Sequence, residues 1–273
     1  MKILLLGHRG FLGSEFRLYL NNKKIKYITL KEKKITITLL KKIFSKVKPN
    51  FIINCIAKTN VIYCNNNPQR AFESNVKVPW MILKVIRNSS VKFIHFSSEA
   101  VFEGKNANKD NRETDLPNPQ SIYGTTKYTA DKLIIKSKNT LIVRLPFVYS
   151  ISNNKNIISR ILNKLSKKES VRVSMSFFST FAFAPDICDF IYNKCIRRNI
   201  YFKKKLIHFI ISTKKMSVFD LVKKLANKNK KINIKKIIPV NEAYFMGGGR
   251  VGFNSKNITI QRGLTSIYSE TSK

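Results

Sequence analysis

The stretch MKILLLGHRGFLGSEF (residues 1–16) decides the fold. An apolar run of strand length leads into three glycines, Gly7, Gly10 and Gly13, and an amphipathic segment follows. In this setting the first glycine allows a tight turn, the second lets the backbone approach a pyrophosphate, and the third permits close packing of a helix on the strand. Because the spacing is GxxGxxG and not the shorter GxGxxG, its position between strand and helix is what indicates a nucleotide-binding loop.

The same stretch could instead begin an export signal, because a lysine precedes the apolar run. The run is only ILLL before Gly7, whereas a signal peptide needs about 7–15 apolar residues and a small-residue cleavage site. No stretch of the sequence approaches the roughly 18–20 apolar residues of a membrane-spanning helix. The four cysteines show neither zinc-site nor disulfide spacing. We therefore expect a cytoplasmic protein with reduced cysteines and no membrane span.

Apolar runs of strand length alternate with helix-like segments through the first 150 residues. Strands that are apolar throughout and alternate with helices indicate a parallel sheet covered on both faces. We expect an α/β fold, with a Rossmann-type doubly wound parallel sheet in an NAD(P)-binding domain over residues 1–150, to which residues 176–213 return. Residues 151–175 and 214–273 are expected to form a smaller C-terminal lobe that binds substrate.

The formal net charge of +37 would usually suggest nucleic acid or an anionic membrane as a partner. The excess is mostly lysine, runs along the whole chain and coexists with many Ile and Asn residues, as an AT-rich genome would produce. Lysines without interleaved aromatic residues are poor indicators of base stacking. We expect no specific nucleic-acid partner, and the positive field suits a doubly anionic small substrate equally well.

The segment after the second candidate strand bears on the choice of cofactor. Folds that bind NAD(H) usually place an acidic residue there, on the ribose 2′-hydroxyl. Here TLKEKK (residues 29–34) supplies Lys31 and two further lysines, with Glu32 as its one acid, and Arg9 adds a cation from the glycine loop. Cations suit a 2′-phosphate through charge-assisted hydrogen bonds. The sequence favours NADP(H), with NAD(H) as the alternative, unless these side chains simply face solvent.

A tyrosine followed four residues later by lysine occurs at Tyr123 and Lys127, but the same spacing occurs four more times in the chain. Position distinguishes this pair, because it opens a helix after a long loop that follows the strand ending near Ser98. Doubly wound sheets place their chemistry at such strand ends. Residues at i and i+4 share a helix face, so the lysine can stabilise a tyrosinate and make the phenol a usable proton donor. Ser98 can hydrogen-bond the reacting oxygen.

Six motifs, GHRGFLG, NCIAKTN, SNVKVP, FSSEAVFEG, YGTTK and IVRLPFVYS, follow one another in the order of the extended short-chain dehydrogenases/reductases. The chain resembles the dTDP-4-dehydrorhamnose reductase branch of that family, and its glycine loop is similar to that of GDP-L-fucose synthases. The resemblance is good over residues 1–150, weaker to about residue 225 and poor beyond. It implies an NADP(H)-dependent oxidoreductase that reduces a keto group, at C4, of a nucleotide-activated deoxysugar for surface polysaccharide biosynthesis.

The resemblance also implies roles for individual residues. Ser98, Tyr123 and Lys127 match the family's catalytic set, and Arg9 matches a loop arginine that faces the adenosine phosphate. The implied wall of the cofactor site comprises Phe11, Leu12, Cys55, Ile56 and Ala57.

Other positions match or depart from the family pattern. Glu99 falls where the rhamnose reductases tend to have an aspartate that assists protonation, and a solvated surface acid is the alternative; Asn75 matches a structural asparagine. Ala100 stands where a tyrosine is usual, and Asn65 replaces a carboxylate that is associated with metal-dependent dimerisation, so we expect no metal. The glycine-rich residues 247–253 resemble the family's C-terminal Arg/Pro region only loosely and are otherwise a turn.

Two other functions stay open at this point. An epimerase or dehydratase with retained NAD would use the same fold, although the acid expected after the second strand is missing. A non-catalytic NADP-binding regulatory subunit would not need the complete Ser, Tyr and Lys set. A homodimer is one of the oligomeric states that the sequence leaves open.

Overall fold

The computed structural model describes residues 1–30, 32, 34–102, 111–152, 154–209, 215–229 and 232–241. Two of the predictions, Lys31 and the glycine-rich loop at residues 247–253, lie outside the described residues. Within the described part of the chain, no helix is long and apolar enough to cross a membrane. In the same residues, no cluster of three or more His, Cys, Asp or Glu side chains could hold a metal ion.

A six-stranded sheet forms the centre of the molecule, and all its neighbouring strands are parallel. The strands described in the chain are β1 (Ile3–Leu6), β2 (Tyr27–Thr29), β3 (Phe51–Asn54), β4 (Lys92–Ser98), β5 (Thr140–Leu145), β6 (Val148–Tyr149), β7 (Val171–Ser174), β8 (Phe178–Ser179), β9 (Ala182–Phe183), β10 (Leu206–His208), β11 (Met216–Ser217) and β12 (Ile237–Val240). The order in the central sheet is β2-β1-β3-β4-β5-β10, so the winding direction changes between β1 and β3. Such a change leaves a crevice at the carboxyl ends of the strands. The predicted doubly wound α/β class is confirmed.

Helices cover both faces of this sheet. The helices described in the chain are α1 (Phe11–Asn22), α2 (Ile37–Val47), α3 (Val61–Asn66), α4 (Pro68–Phe72), α5 (Val78–Ile86), α6 (Ile122–Ile134), α7 (Ile157–Ser166), α8 (Ala184–Phe190) and α9 (Val218–Ala226), of which α7 and α9 pack in a second core. A π-helical turn at Glu73–Lys77 makes α4 and α5 continuous, and another at Ile191–Arg197 extends α8. Helix α1 packs beside α8, while α2 and α6 pack against α5.

Strand β1 shows why the apolar runs form buried strands. Successive side chains of a strand point to opposite faces of the sheet. Ile3 and Leu5 accordingly pack in one core with Phe16 of α1, whereas Leu4 and Leu6 pack in the core on the other face. A strand that is covered on both sides favours apolar residues at successive positions, and all four residues of β1 are apolar and buried.

A second apolar core lies outside the central sheet. It is built from β6–β9, β11, β12, α7 and α9, and Tyr149, Ile158 and Val222 are among its fully buried members. Phe177 and Phe181 also belong to it, so this core includes residues beyond the predicted boundary at residue 175. Strand β10, in contrast, joins the central sheet beside β5. The exact division into domains stays a prediction.

Candidate active site

The glycine loop lies at the point where the winding of the sheet changes. Gly7 has a positive φ of 77°, and a Cβ atom there would lie 2.7 Å from the carbonyl carbon of Cys55 and the backbone nitrogen of Ile56. A Cβ atom on Gly13 would lie 2.1 Å from the carbonyl oxygen of Gly7, while the Gly10 nitrogen donates to that oxygen at 2.9 Å. Gly7 thus provides the turn, and Gly13 lets α1 approach β1 closely, as the spacing predicts.

An open cleft of about 820 Å³ lies beside this loop. Its walls come from the segments after β1, β2 and β3 and from the continuous helix at residues 68–86. Arg9 and Lys34 are exposed and line the cleft, which also contains Glu32 from the segment after β2. The charged and imidazole side chains of the lining are His8, Arg9, Glu32, Lys34, Arg70, Glu73 and Lys77.

The predicted cofactor residues divide into three groups. Gly7, Arg9 and Ile56 line the cleft. Gly10 and Gly13 shape the loop. The remaining described residues are half-buried beside it: Phe11 and Leu12 lie in the first turn of α1, and Cys55 and Ala57 lie on either side of Ile56. Lys31 lies outside the described residues, and Lys34 is the lysine of that segment seen in the cleft. Contact with a cofactor stays a prediction for all of them.

Sequence reasoning missed one wall of the cleft. Arg70, Glu73, Ser74 and Lys77 line it from the helix at residues 68–86. Their spacing of three and four residues places them on one helix face. That polar face on a helix following β3 is the signal that could have revealed them.

The three predicted catalytic residues lie where β4 ends and α6 begins. Ser98 is the last residue of β4, Tyr123 lies in the first turn of α6, and Lys127 follows one turn later. A Cβ atom on Gly124 would lie 2.4 Å from the carbonyl oxygen of Ala100. The glycine therefore lets the start of α6 pack directly on the segment that follows Ser98.

Side chains stabilise both ends of this junction. The Ser121 hydroxyl caps α6 by accepting from the Gly124 nitrogen at 3.0 Å. Asn65 stands at the position where the resemblance implies a carboxylate associated with metal-dependent dimerisation. Its side-chain oxygen accepts a hydrogen bond from the Ile122 nitrogen at 3.1 Å. Ser98 Oγ accepts from the Ala100 nitrogen at 3.2 Å.

Lys127 is a buried amine, and its side chain is 2% exposed. Among the described residues, its Nζ atom donates to the carbonyl oxygen of Phe96 and lies 3.3 Å from Nε2 of His95. Burial lowers the pKa of Lys127 from 10.5 to about 8, although the carboxylate of Asp131 and the thiol of Cys55 act in the opposite direction. The lysine can therefore change its charge near neutral pH.

A buried ion pair anchors the helix that carries Lys127. Nε of Arg144 on β5 donates to Asp131 of α6 at 3.0 Å, and both side chains are at most 4% exposed. The guanidinium also lies 5.1 Å from the ring centre of Phe102 and 3.4 Å from Nε2 of His208. Burial raises the pKa of Asp131, and Arg144 opposes that change. Loss of one partner of such a pair typically costs about 3–5 kcal/mol.

Glu99 is not a solvated surface acid, so that interpretation is wrong. Its side chain is buried, and the hydroxyl of Ser179 donates to its carboxylate oxygens at 3.0 and 3.1 Å. Ser179 lies on β8, so the contact joins the end of β4 to the second core.

Asn75 has the structural role that its motif implies. It is fully buried, accepts from the Lys58 nitrogen at 2.8 Å and donates to the Lys58 carbonyl at 3.0 Å. It also donates to Thr126 Oγ1 at 3.0 Å. Asn75 therefore ties the segment after β3 to α6, next to the turn that holds Lys127.

Comparison with known proteins gives matches over most of the chain. The spore coat polysaccharide biosynthesis protein SpsK of Bacillus subtilis (strain 168) is 25% identical over 192 residues, which cover 69% of this chain and 67% of that protein. A dTDP-4-dehydrorhamnose reductase of Aggregatibacter actinomycetemcomitans is 28% identical over 176 residues, or 62% of this chain and 58% of that protein. The matches thus span about two thirds or less of these relatives.

Among solved structures, dTDP-4-dehydrorhamnose reductase from Bacillus anthracis str. Ames in complex with NADP has a TM-score of 0.80 at 21% identity, over 93% of this chain and 90% of that chain. This similarity shows a shared fold.

The model of the family described as RmlD substrate binding domain matches residues 1–255. The likeness of the glycine loop to GDP-L-fucose synthases stays a prediction. The family match covers most of the chain, which therefore belongs to the RmlD substrate binding domain family, and the predicted relationship to dTDP-4-dehydrorhamnose reductases is confirmed.

Proposed function

We propose that the chain is an NADP(H)-dependent reductase of a keto group, at C4, on a nucleotide-activated deoxysugar for surface polysaccharide biosynthesis. One observation carries the proposal: the glycine-loop cleft and the junction that bears Ser98, Tyr123 and Lys127 share the carboxyl edge of one parallel sheet. The two sequence relatives support the substrate class, because one is a dTDP-4-dehydrorhamnose reductase and the other a spore coat polysaccharide protein.

The chain has the features that a dinucleotide needs. Gly10, the N-cap of α1, has no side chain that could cover the start of the helix, and the first turn of α1 contains no acidic residue. These features leave the positive end of the helix available for a pyrophosphate. Arg9 and Lys34 would hold the 2′-phosphate, and a structural neighbour contains NADP. When bound, the nicotinamide supplies the hydride that is added to the carbonyl carbon.

The residues of the junction supply the acid–base chemistry. Tyr123 donates its phenolic proton to the carbonyl oxygen as that oxygen gains negative charge. Lys127, as an ammonium, stabilises the resulting tyrosinate, and Ser98 donates a hydrogen bond to the same substrate oxygen. Gly124 and the Ser121 cap keep the start of α6 against the end of β4, so that Tyr123 and Ser98 stay close to one edge of the sheet.

The test is oxidation of NADPH, followed by its absorbance, with a 4-keto-6-deoxy sugar nucleotide as the acceptor. Tyr123→Phe should lower kcat by about 100-fold or more, because it removes the proton donor. Tyr128→Phe is the matched control, since Tyr128 and Lys132 share the same spacing on the same helix and form a cation–π pair at 4.9 Å. Wild-type turnover by Tyr123→Phe would exclude the assigned role.

One observation favours a second candidate. Although the sequence lacks the acid expected at the end of the second strand, Glu32 of the segment after β2 lines the cleft, where it could bind the ribose 2′-hydroxyl of NAD. An epimerase or dehydratase with retained NAD would use it. Stabilisation of the purified protein by NADPH, measured as a larger rise in Tm than with NADH, supports the reductase, whereas tightly retained NAD supports the second candidate.

The remaining assignments are narrower parts of the same proposal. The substrate is a nucleotide sugar and the site of action is the cytoplasm, where such substrates are made. A homodimer stays a prediction. A regulatory, non-catalytic role would be favoured if cofactor binds but no 4-keto sugar nucleotide is reduced.

A further inference from the structure

A buried row of side chains leads from β3 to Lys127. The backbone nitrogen of Ile56 donates to Oδ1 of Asn54 at 3.1 Å, which fixes the orientation of the Asn54 amide. The other end of that amide, Nδ2, lies 3.2 Å from Nδ1 of His95. An amide nitrogen can only donate, so Nδ1 of His95 must accept. Asn54 and His95 are both at most 1% exposed.

This assignment decides the tautomer of His95. A neutral imidazole carries one proton, and with Nδ1 as the acceptor the proton is on Nε2. Nε2 is the atom that lies 3.3 Å from Nζ of Lys127. An ammonium group has three donors and no lone pair, so an N–H of His95 cannot bond to it. The contact is a hydrogen bond only if Lys127 is an uncharged amine that accepts from His95 and donates to the Phe96 carbonyl.

The groups that face Lys127 permit this state. Asp131 lies on its own helix, Cys55 follows β3, and His95 is on β4. Asp131 would favour an ammonium, but its carboxylate is paired with Arg144. Burial lowers the pKa of Lys127 to about 8 and that of His95 well below 6.5, so a charged imidazole is excluded near neutral pH.

We propose that His95 is a positioning residue that favours the uncharged amine of Lys127 in the cofactor-free enzyme, so that NADP(H) binding at mildly alkaline pH is accompanied by the uptake of a proton by Lys127. The inference rests on the proposed function for the identity of the cofactor. The proton comes from solvent, and the ammonium that it creates is the form that stabilises the tyrosinate. Cofactor binding would in this way prepare the acid–base pair.

The first experiment tests the tautomer and needs no cofactor. The chain contains three histidines, so ¹⁵N NMR of the labelled full-length protein can resolve each ring, and His95→Gln identifies the His95 signals. We expect the proton of His95 on Nε2 at pH 8.5. A proton on Nδ1 would overturn the proposal whatever the enzyme catalyses.

The second experiment measures proton uptake by titration calorimetry of NADP⁺ in buffers of different ionisation enthalpy. With a pKa of about 8 for Lys127, the proton uptake of wild type should be substantial at pH 8.5 and much smaller at pH 7. Lys127→Met should abolish the uptake. His95→Gln should reduce it by at least about half, because a glutamine can turn its carbonyl oxygen to an ammonium and so favour the charged lysine before binding.

Lys132→Gln is the control, since it removes an exposed lysine from the same helix and should keep the wild-type uptake. Binding without proton uptake at pH 8.5, or unchanged uptake in His95→Gln, would overturn the proposal. Absence of any NADP⁺ or NADPH binding would instead count against the proposed function, while the NMR result would still decide the state of His95.

Discussion

Gly13 is the position at which the packing of the glycine loop can be tested most directly. A methyl group at residue 13 would lie 2.1 Å from the carbonyl oxygen and 2.7 Å from the carbonyl carbon of Gly7. Both atoms are backbone, and Gly7 is itself held against Cys55 and Ile56 with a positive φ. Gly13→Ala must therefore push α1 away from the end of β1.

The expected loss of stability follows from two opposing effects. Overpacking of a tight contact costs about 1–3 kcal/mol, and a contact of this length with backbone atoms belongs at the upper end. Alanine within a helix is favoured over glycine by about 1 kcal/mol, and Gly13 lies inside α1. The net loss is about 2 kcal/mol, which corresponds to a fall in Tm of roughly 3–4 °C for a protein of this size.

The assay is thermal unfolding, followed by circular dichroism, of Gly13→Ala beside Gly10→Ala. A methyl group at residue 10 would lie 3.3 Å from the Gly7 oxygen, and the φ angle of Gly10 is −71°, so this control should lose less than about 1 kcal/mol. A Tm for Gly13→Ala at or above that of Gly10→Ala would refute the packing interpretation. The displaced loop should also bind NADPH more weakly than wild type does.

Three further predictions concern charge. Lys127→Met should raise the free energy of unfolding at pH 7 by up to about 3 kcal/mol, because it removes a buried amine whose pKa is lowered from 10.5 to about 8. This gain should shrink as the pH rises from 8 to 10.5, because the amine of the folded wild type is then uncharged. Burial lowers the pKa of His208 to about 3, so the unfolded chain binds a proton that the folded chain does not, and stability should fall by about 1.4 kcal/mol per pH unit from pH 6.5 towards pH 3. Arg9→Ala should weaken NADPH binding by about 10- to 100-fold and NADH binding by less than about 3-fold, because only NADPH carries the 2′-phosphate.

Each of these predictions has a control. Lys132→Met, an exposed change on the same helix, should leave the Tm unchanged, and an equal Tm for Lys127→Met would contradict the burial penalty. For His208, urea unfolding between pH 7 and pH 4 gives the free energy of unfolding as a function of pH. His208→Gln should make this free energy depend less steeply on pH, and an equal dependence in both proteins would contradict the assigned pKa. Arg17→Ala changes an exposed residue of α1 outside the cleft lining and should leave the affinities for NADPH and NADH unchanged. If Arg9→Ala weakened the binding of NADPH and NADH equally, Arg9 would have no selective role.

Local patterns predicted the frame of the site well. Four consecutive apolar residues in β1, followed by Gly7, require a strand buried on both faces and a turn, because backbone geometry and side-chain alternation act between neighbours in the chain. The four-residue spacing of Tyr123 and Lys127 likewise requires only one helix, and α6 provides it. The Asn75 role followed from its motif.

Contacts between distant parts of the chain could not be predicted in this way. Glu99 is buried because Ser179, eighty residues later, donates to its carboxylate. Arg70 lines the cleft from α4, which follows β3 in the chain, although the cleft itself is formed beside the glycine loop after β1.

The sequence alone determined the apolar strands that alternate with helices, the turn at Gly7 and the shared helix of Tyr123 and Lys127, because each depends on residues a few positions apart. Only the tertiary structure decided the state of Lys127. Its partners, His95 and the Phe96 carbonyl, lie about thirty residues away on β4, and its burial depends on α6 packing against the sheet. Charge and pKa depend on the surrounding atoms in space, and the order of residues along one helix does not specify those atoms.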